Sequence, residues 1–480
     1  ERLFLQAAWH AVEDAGYSPE TLSGARGGAA LRRRVGVIAG VMYGEYQFYG
    51  AAAGVERPRV LTNSSYASIA NRVSFCLDLD GPSFAVDSMC SSSLTSIHLA
   101  CDLLRGGGCD MAIAGGVNLS VHPYKYRMLS DLTFASTEGK CRSFGDGGDG
   151  YVPGEGVGAV LLRPLDDALR DGDHIRAVIR GSDIGHGART SGFTVPNADA
   201  QADVIRRAFQ RAGAPYAQLG YVEAHGTGTS LGDPIEIRGL TKALAAHLPP
   251  GRRCPVGSVK ANIGHLESAA GMAALTKVLL QMEHGTLAPS LHADPPNRNI
   301  DFAATPFFVQ RDRAVWPAPV DDGGHPLPRL AAVSSFGAGG SNAHLIVEEH
   351  VPAPPPPVTA GEGPWVFPFS ARGPEQLAAM VRRFVDFLDR AGAETPADLP
   401  GRLGRRGFAP GEVAATLTAG RQHFEERLAV VAGGFSALRA ALVLFLDPAA
   451  TPGALAAAGV FRGRADGLPP DENGTAPDAL

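Results

Sequence analysis

Cysteine is scarce in this 480-residue chain, with six residues at positions 76, 90, 101, 109, 141 and 254 and no Cys-x-x-Cys pair among them. That spacing argues against a structural zinc site and against a disulfide scaffold. No apolar run reaches the roughly 20 residues that cross a bilayer and the first residues lack a signal-peptide pattern, so no membrane partner and a cytoplasmic location are expected. Aromatic residues make up 7%, no basic block is interleaved with them, and the formal net charge is -6, which argues against a nucleic-acid partner. The short basic run Arg32 to Arg34 leads into an apolar segment and is better read as a charged strand entry. Ligand-loop signatures are lacking as well. The Gly-rich segment Ser334 to Asn342 has no Gly-Lys-Ser or Gly-Lys-Thr, and Gly154 to Gly158 precedes an apolar strand-like run instead of following one. Asp146, Asp149 and Asp173 do not have calcium-loop spacing. Neither a metal nor an intrinsically bound cofactor is expected.

The chain has a hydrophobic fraction of 45% and a charged fraction of 19%, and its length points to one large catalytic body with a smaller appendage. Short apolar runs with little polar alternation, Val35 to Ala39, Phe84 to Val86, Met111 to Val117, Ala159 to Leu162, Leu219 to Glu223 and Val256 to Val259, read as strands covered on both faces. Helical periodicity falls between them, as in Ala269 to Met282. The expected fold is layered α/β with a duplicated core. The proline-rich run Val351 to Val358 separates this body, residues 1–349, from a smaller α/β flanking subdomain within 350–450, and 451–480 reads as linker or disordered tail. The opening segment Glu1 to Gly16 is helical from its first residues and lacks a cap, which reads as a fragment boundary.

Cys90 lies between the strand-like Phe84 to Val86 and a helical segment, followed by Ser91, Ser92 and Ser93. A helix N-terminus favours the thiolate, so its pKa is expected to fall from about 8.5 toward or below neutrality. Alone, a cysteine among apolar residues is more often core filler. The serines suit a first turn, where hydroxyls can satisfy backbone donors. Two further segments, Glu223-Ala-His-Gly-Thr-Gly-Thr229 and Lys260-Ala-Asn-Ile-Gly-His-Leu-Glu267, add His225 and His265 beside glycines that admit a close backbone approach. A cysteine with two such histidines points to acyl-thioester chemistry.

From residue 1 to about Glu349 the chain resembles the ketosynthase domains of modular type I polyketide synthases, members of the thiolase-like superfamily. The resemblance rests on the cysteine elbow, the His225 and His265 motifs and the segment around Phe336, in that order, with Asn71 to Phe75 and Asp146 to Gly154 as further landmarks. It implies a beta-ketoacyl synthase, an acyltransferase-class enzyme that condenses a Cys90-bound acyl chain with a malonyl thioester on an acyl carrier protein, with loss of carbon dioxide. His225 and His265 would stabilise the developing oxyanion. Lys260 is expected to pair with Glu267 and orient the second histidine loop, with Asn262 and Gly264 in a supporting turn; a solvent salt bridge is the alternative. Thr227 and Thr229 would contact the carrier's phosphopantetheine arm, or make local turn bonds. Phe336 would gate the acyl and malonyl compartments and lend its N–H, with that of Cys90, to an oxyanion hole; a packed core phenylalanine is the sober alternative. Phe193 to Ala198 would line the acyl pocket, while His98, His122 and His186 are expected to be structural or surface residues.

The resemblance also implies adjacent polyketide synthase domains as partners and a homodimer whose interface lies near the region before Cys90, buttressing Met89. Segments Val41 to Gly50 and His344 to Glu349, with Met89 and the region Thr418 to Leu428, are similar to systems whose acyltransferase acts in trans. Three other readings compete. A thiolase would add a second catalytic cysteine, and none follows Cys254. A non-elongating ketosynthase often lacks a motif histidine, and both are present. An inactive structural or docking fragment draws on the missing N-terminal strand and helix of the family.

Overall fold

The computed structural model describes residues 1–24, 32–56, 65–352, 363–393 and 409–465. These divide into two compact units, residues 1–11 with 32–352 and residues 12–24 with 363–393 and 409–465. The chain opens in α1 (Arg2–Asp14) and the single turn α2 (Pro19–Leu22).

In the large unit the first half runs β1 (Val35–Gly40), α3 (Tyr46–Glu56), α4 (Ala67–Cys76), β2 (Ser83–Val86), α5 (Ser92–Arg105), β3 (Met111–Asn118), α6 (Pro123–Asp131), β4 (Gly156–Leu162) and α7 (Leu165–Asp171). The second half runs β5 (Ala177–His186), α8 (Ala198–Ala212), β6 (Leu219–Glu223), α9 (Gly232–Leu244), β7 (Cys254–Gly257), the short α10 (Lys260–Ile263) and α11 (Ala270–His284). A small ladder of β8 (Thr286–Leu287) with β10 (Ala314–Val315) follows, together with β9 (Phe307–Val309), β11 (Leu330–Phe336) and β12 (Ser341–Glu349).

The duplication expected from the sequence is visible in the strand pairing. In the first sheet β2, β1 and β3 run parallel and β4 joins antiparallel. The second sheet repeats this with β7, β6 and β11 parallel and β12 antiparallel, then carries β5 beyond β12 and β9 beyond β7. All eight residues of β3 are buried, which explains its unalternated apolar sequence.

Helices α5 and α11 lie between the sheets. Leu94, Ile97 and Ala100 of α5 and Met272, Leu275 and Val278 of α11 share one core with Ile38 and Ala112 of the first sheet and Val333 and Leu345 of the second. The two helices approach closely because position 271 is glycine: a Cβ there would meet Leu94 Cγ at 2.5 Å. On the other face of the second sheet, Ile205, Phe209, Ile237 and Leu240 of α8 and α9 pack with Val222, Val256 and Leu330. Helix α8 is amphipathic, its N-terminal amides are capped by Asn197, and it stops at Gly213 with φ +58°.

The smaller unit contains β13 (Trp365–Ala371), α12 (Pro374–Ala393), α13 (Pro410–Ala419), β14 (Glu426–Ala432), α14 (Phe435–Leu446), α15 (Pro452–Ala457) and β15 (Val460–Arg464). Its antiparallel sheet β13-β14-β15 is covered on one face, and β14 alternates buried with half-buried side chains. Phe367, Leu377, Val381, Val430 and Leu442 form its core. Two boundaries differ from the sequence reading. Residues 12–24 join this unit, where Arg421 reaches Glu13 at 3.7 Å. The stretch from 451 is not tail throughout, because α15 is capped by Thr451 and β15 adds a paired strand to β14. Residues 353–358 of the proline-rich run and 466–480 of the expected tail lie outside the described residues.

Candidate active site

Cys90 sits at the turn from β2 into α5, 6% exposed. The preceding Met89 has φ +58°, a conformation an L-residue holds only when its surroundings impose it. Asp87 accepts the Met89 N–H at 2.9 Å, and Ser92 Oγ donates to the Met89 carbonyl at 2.6 Å. Ser91 Oγ donates to the Ser88 carbonyl at 2.7 Å, and Ser335 Oγ to that of Cys90 at 2.7 Å. The serines therefore brace the elbow through its carbonyls; Ser91 makes no capping bond to the helix amides.

The expected lowering of the Cys90 pKa is overturned. Burial pushes the thiol up to about 12, the Glu267 charge acts in the same direction, and the Ala338 N–H, Lys260 and Lys125 pull against them. A helix-terminal dipole is worth about 1 kcal/mol, which complete desolvation exceeds. Cys90 rests as a thiol.

His225 leaves the end of β6, and His265 lies between α10 and α11. Their rings meet edge-on with centroids 5.4 Å apart, and Phe336 lies 5.9 Å from His225. Both imidazoles are held well below the ordinary range, first by burial and then by the charge of Lys260, so they are neutral near pH 7. His265 Nδ1 accepts the Glu267 N–H at 3.0 Å. Its proton is therefore on Nε2, a buried atom with no hydrogen-bond partner. His225 Nδ1 is likewise buried and unpartnered. The site thus sets two neutral imidazoles edge to edge, with unused hydrogen-bonding capacity and with Phe336 against one of them, an arrangement suited to a developing oxyanion.

The beta-ketoacyl synthase N-terminal domain family matches residues 1–168 and its C-terminal domain family residues 176–294. A ketoacyl-synthetase C-terminal extension matches 296–397, and a RhiE-like KS-MAT linker domain matches 368–448. Polyketide synthase PksL of Bacillus subtilis is 51% identical over 90% of this chain, and ThaG of Burkholderia thailandensis 50% identical over 98%. The chain spans only 9% and 8% of those two proteins. The oxazolomycin ketosynthase domain OzmH KS7 of Streptomyces albus JA3453 superposes with a TM-score of 0.87 at 50% identity, over 98% of this chain and 76% of that one. The ketosynthase from module 6 of the Bacillus subtilis bacillaene synthase gives 0.81 at 35%, over 96% and 72%. This chain belongs to the polyketide synthase ketosynthases.

One expected contact in this ketosynthase is corrected. Glu267 does not take Lys260 as its partner; its carboxylate ion-pairs with Lys125 and accepts the Tyr151 hydroxyl at 3.1 Å. Lys260, 2% exposed at the start of α10, has its pKa lowered by burial, against which the nearby Glu223 and Glu236 act. The backbone N–H at the Cys90 sulfur belongs to Ala338, two residues beyond Phe336, because β11 ends at Phe336 and the following glycine-rich turn folds onto the elbow. Phe336 itself is 6% exposed and faces His225.

Thr227 and Thr229 are half-buried with their hydroxyls 3.2 Å apart, and Thr229 accepts the Gly232 N–H at 3.1 Å, the local turn bond that was the alternative reading. Asn262 is exposed on α10. Phe193 is 79% exposed and lies over Gly339. His98 is buried against Ser182, His122 caps α6, and His186 bonds the Gly339 carbonyl.

Sequence reasoning missed the carboxylates that shape the His225 loop. Glu236 accepts the His225 and Gly226 N–H groups at 2.7 and 2.8 Å, while Asp233 accepts those of Phe144 and Gly228 at 2.7 and 3.1 Å. Their three-residue spacing at the start of a helix directly after the histidine motif was the available signal. Burial raises Glu236 to about 7 and Asp233 to about 6. A carboxyl that holds its proton more tightly when folded stabilises the fold below its ordinary pKa of 4.5, and that contribution is lost as pH rises toward 7. Glu236→Gln should therefore flatten the fall in melting temperature between pH 5 and 7, as read by calorimetry; an unchanged slope would refute the assignment.

Proposed function

We propose that the chain catalyses decarboxylative Claisen condensation, joining an acyl group held on Cys90 to a malonyl unit on an acyl carrier protein. The observation that carries this reading is the adjoining pair of neutral imidazoles, with the protonated Nε2 of His265 buried and unpartnered. The Cys90 sulfur first attacks the acyl thioester carbonyl. The carbon–sulfur bond to the phosphopantetheine arm breaks, and the departing thiolate gains the proton that Cys90 gives up. The acyl-enzyme holds the electrophile while the second carrier enters.

Loss of carbon dioxide from the malonyl group then leaves its bonding electrons on the α-carbon as an enolate. His265, through Nε2–H, and His225 hydrogen-bond the enolate oxygen, which costs little reorganisation because both rings are fixed and neutral. The α-carbon attacks the Cys90 thioester while the Ala338 N–H steadies its oxygen, and the cysteine sulfur leaves and regains a proton from water. Burial, reinforced by the charge of Lys260, lowers the proton affinity of both imidazoles and keeps them uncharged.

In this reading Thr227 and Thr229 receive the phosphopantetheine arm, Phe336 separates the two substrate compartments, and no metal or resident cofactor takes part. The chain acts as an acyltransferase-class enzyme beside other polyketide synthase domains, with extender units supplied by an acyltransferase in trans. The KS-MAT linker match at 368–448 supports a flanking region distinct from the condensing body. A homodimer through the β2 edge of the first sheet would buttress Met89.

The test is intact-protein mass spectrometry after mixing the protein with an acyl thioester and malonyl carrier protein. A Cys90 acyl adduct and a carrier-bound β-ketoacyl product are expected, and both vanish in Cys90→Ala. Acylation without extension would replace the condensing role with a transferring one.

A further inference from the structure

The chemistry above makes no use of Lys125, yet this residue of α6 has no solvent exposure. Burying an ammonium group is costly unless it is paired and hydrogen-bonded. Lys125 is both: it ion-pairs with Glu267 and donates to Asn118 Oδ1 at 3.1 Å. Each arm of this fork leads to His265.

Along the first arm, Glu267 is held by Lys125 and by the Tyr151 hydroxyl, and its backbone has φ +45°, in the left-handed region. In that conformation its N–H reaches His265 Nδ1. Tyr151 also sets its ring edge-on to the imidazole, with centroids 4.7 Å apart. Along the second arm, Asn118 Nδ2 donates to the Gly154 carbonyl at 2.8 Å, and the Gly154 N–H donates to the His265 carbonyl at 2.8 Å. One ammonium therefore ties down both the ring nitrogen and the backbone of the same histidine.

We propose that Lys125 is a positioning residue for condensation: by bridging Glu267 and Asn118 it holds the Glu267 N–H on His265 Nδ1 and keeps the histidine proton on Nε2, facing the site. Lys125 thereby takes the orienting role that the sequence placed on Lys260. The inference rests on the reading that His265 donates to the malonyl thioester oxygen, since only then does its tautomer govern a rate.

Lys125→Met alone leaves Glu267 buried without its countercharge, so the decisive variant is Lys125→Met with Glu267→Gln, which removes both charges and retains the backbone N–H at 267. Acyl loading of Cys90 and single-turnover extension with malonyl carrier protein are measured separately, beside His265→Ala. Selective 15N-histidine NMR reports the His265 tautomer. The expected result is a double variant that still loads, extends roughly 10²-fold more slowly, and shows His265 distributed between tautomers. Extension at the unaltered rate with a single Nε2–H tautomer would overturn the proposal, as would equal losses of loading and extension, which mark a scaffold role. If His265→Ala extends normally, the reading of His265 fails instead, and the tautomer signal alone then decides whether Lys125 positions the ring.

Discussion

His265→Ala should load an acyl chain onto Cys90 yet extend it roughly 10²- to 10³-fold more slowly, the loss that follows removal of one oxyanion donor. Loading needs the thiol, its departing proton and the Ala338 N–H at the sulfur, none of which the imidazole of His265 supplies. Extension adds an enolate, whose negative oxygen must be met in a dry pocket where water cannot substitute. The buried, unpartnered Nε2 is the group with that capacity. Single-turnover kinetics with preloaded enzyme separate the two stages, and equal losses in both would remove the division of roles. His265→Gln should recover part of the rate, since its side-chain amide can donate from a similar position.

Cys90 should alkylate slowly at neutral pH, with a rate that climbs about tenfold per pH unit to beyond pH 9. The sign follows from its raised pKa of about 12. Below that value the thiolate fraction rises tenfold for each unit, and only the thiolate attacks iodoacetamide. At pH 7 the fraction is on the order of 10⁻⁵, against a few per cent for a free cysteine. Peptide-resolved mass spectrometry across pH 6–10 distinguishes Cys90 from the other five cysteines. A plateau near pH 7 would mean that the helix terminus outweighs burial. The same high pKa has a use during catalysis: a protonated resting nucleophile carries its own proton to the departing pantetheine thiol, so loading needs no separate acid.

Much of this site was legible because its chemistry is local. Cys90 with its serines, and His225 and His265 with their flanking glycines, are short segments whose spacing survives without knowledge of the fold. The strand runs were legible for a related reason: two covered faces demand unbroken apolar sequence, as in β3. What failed was set by tertiary proximity. The Lys125–Glu267 pair joins residues from different halves of the chain, and a nearer lysine in sequence drew the assignment away. The thiol pKa failed because a dipole rule describes one helix end, whereas desolvation depends on every layer packed over Cys90. In the smaller unit, β15 went unread because Phe461 to Arg464 are exposed and only Val460 is buried. Its place is fixed by backbone pairing with β14, which leaves no hydrophobic period to detect.

The close seating of α5 against α11 at Gly271 bears on how this enzyme can diversify. Cys90 leads directly into α5, and His265 leads through one turn into α11. The backbones that carry Cys90 and His265 are therefore tied to one another by a contact between two core helices, in the manner of a fixed jig. The exposed segment bearing Phe193 lies outside this contact and can change sequence without moving it. Side chains outside that helix contact can be exchanged while Cys90 and His265 stay in register.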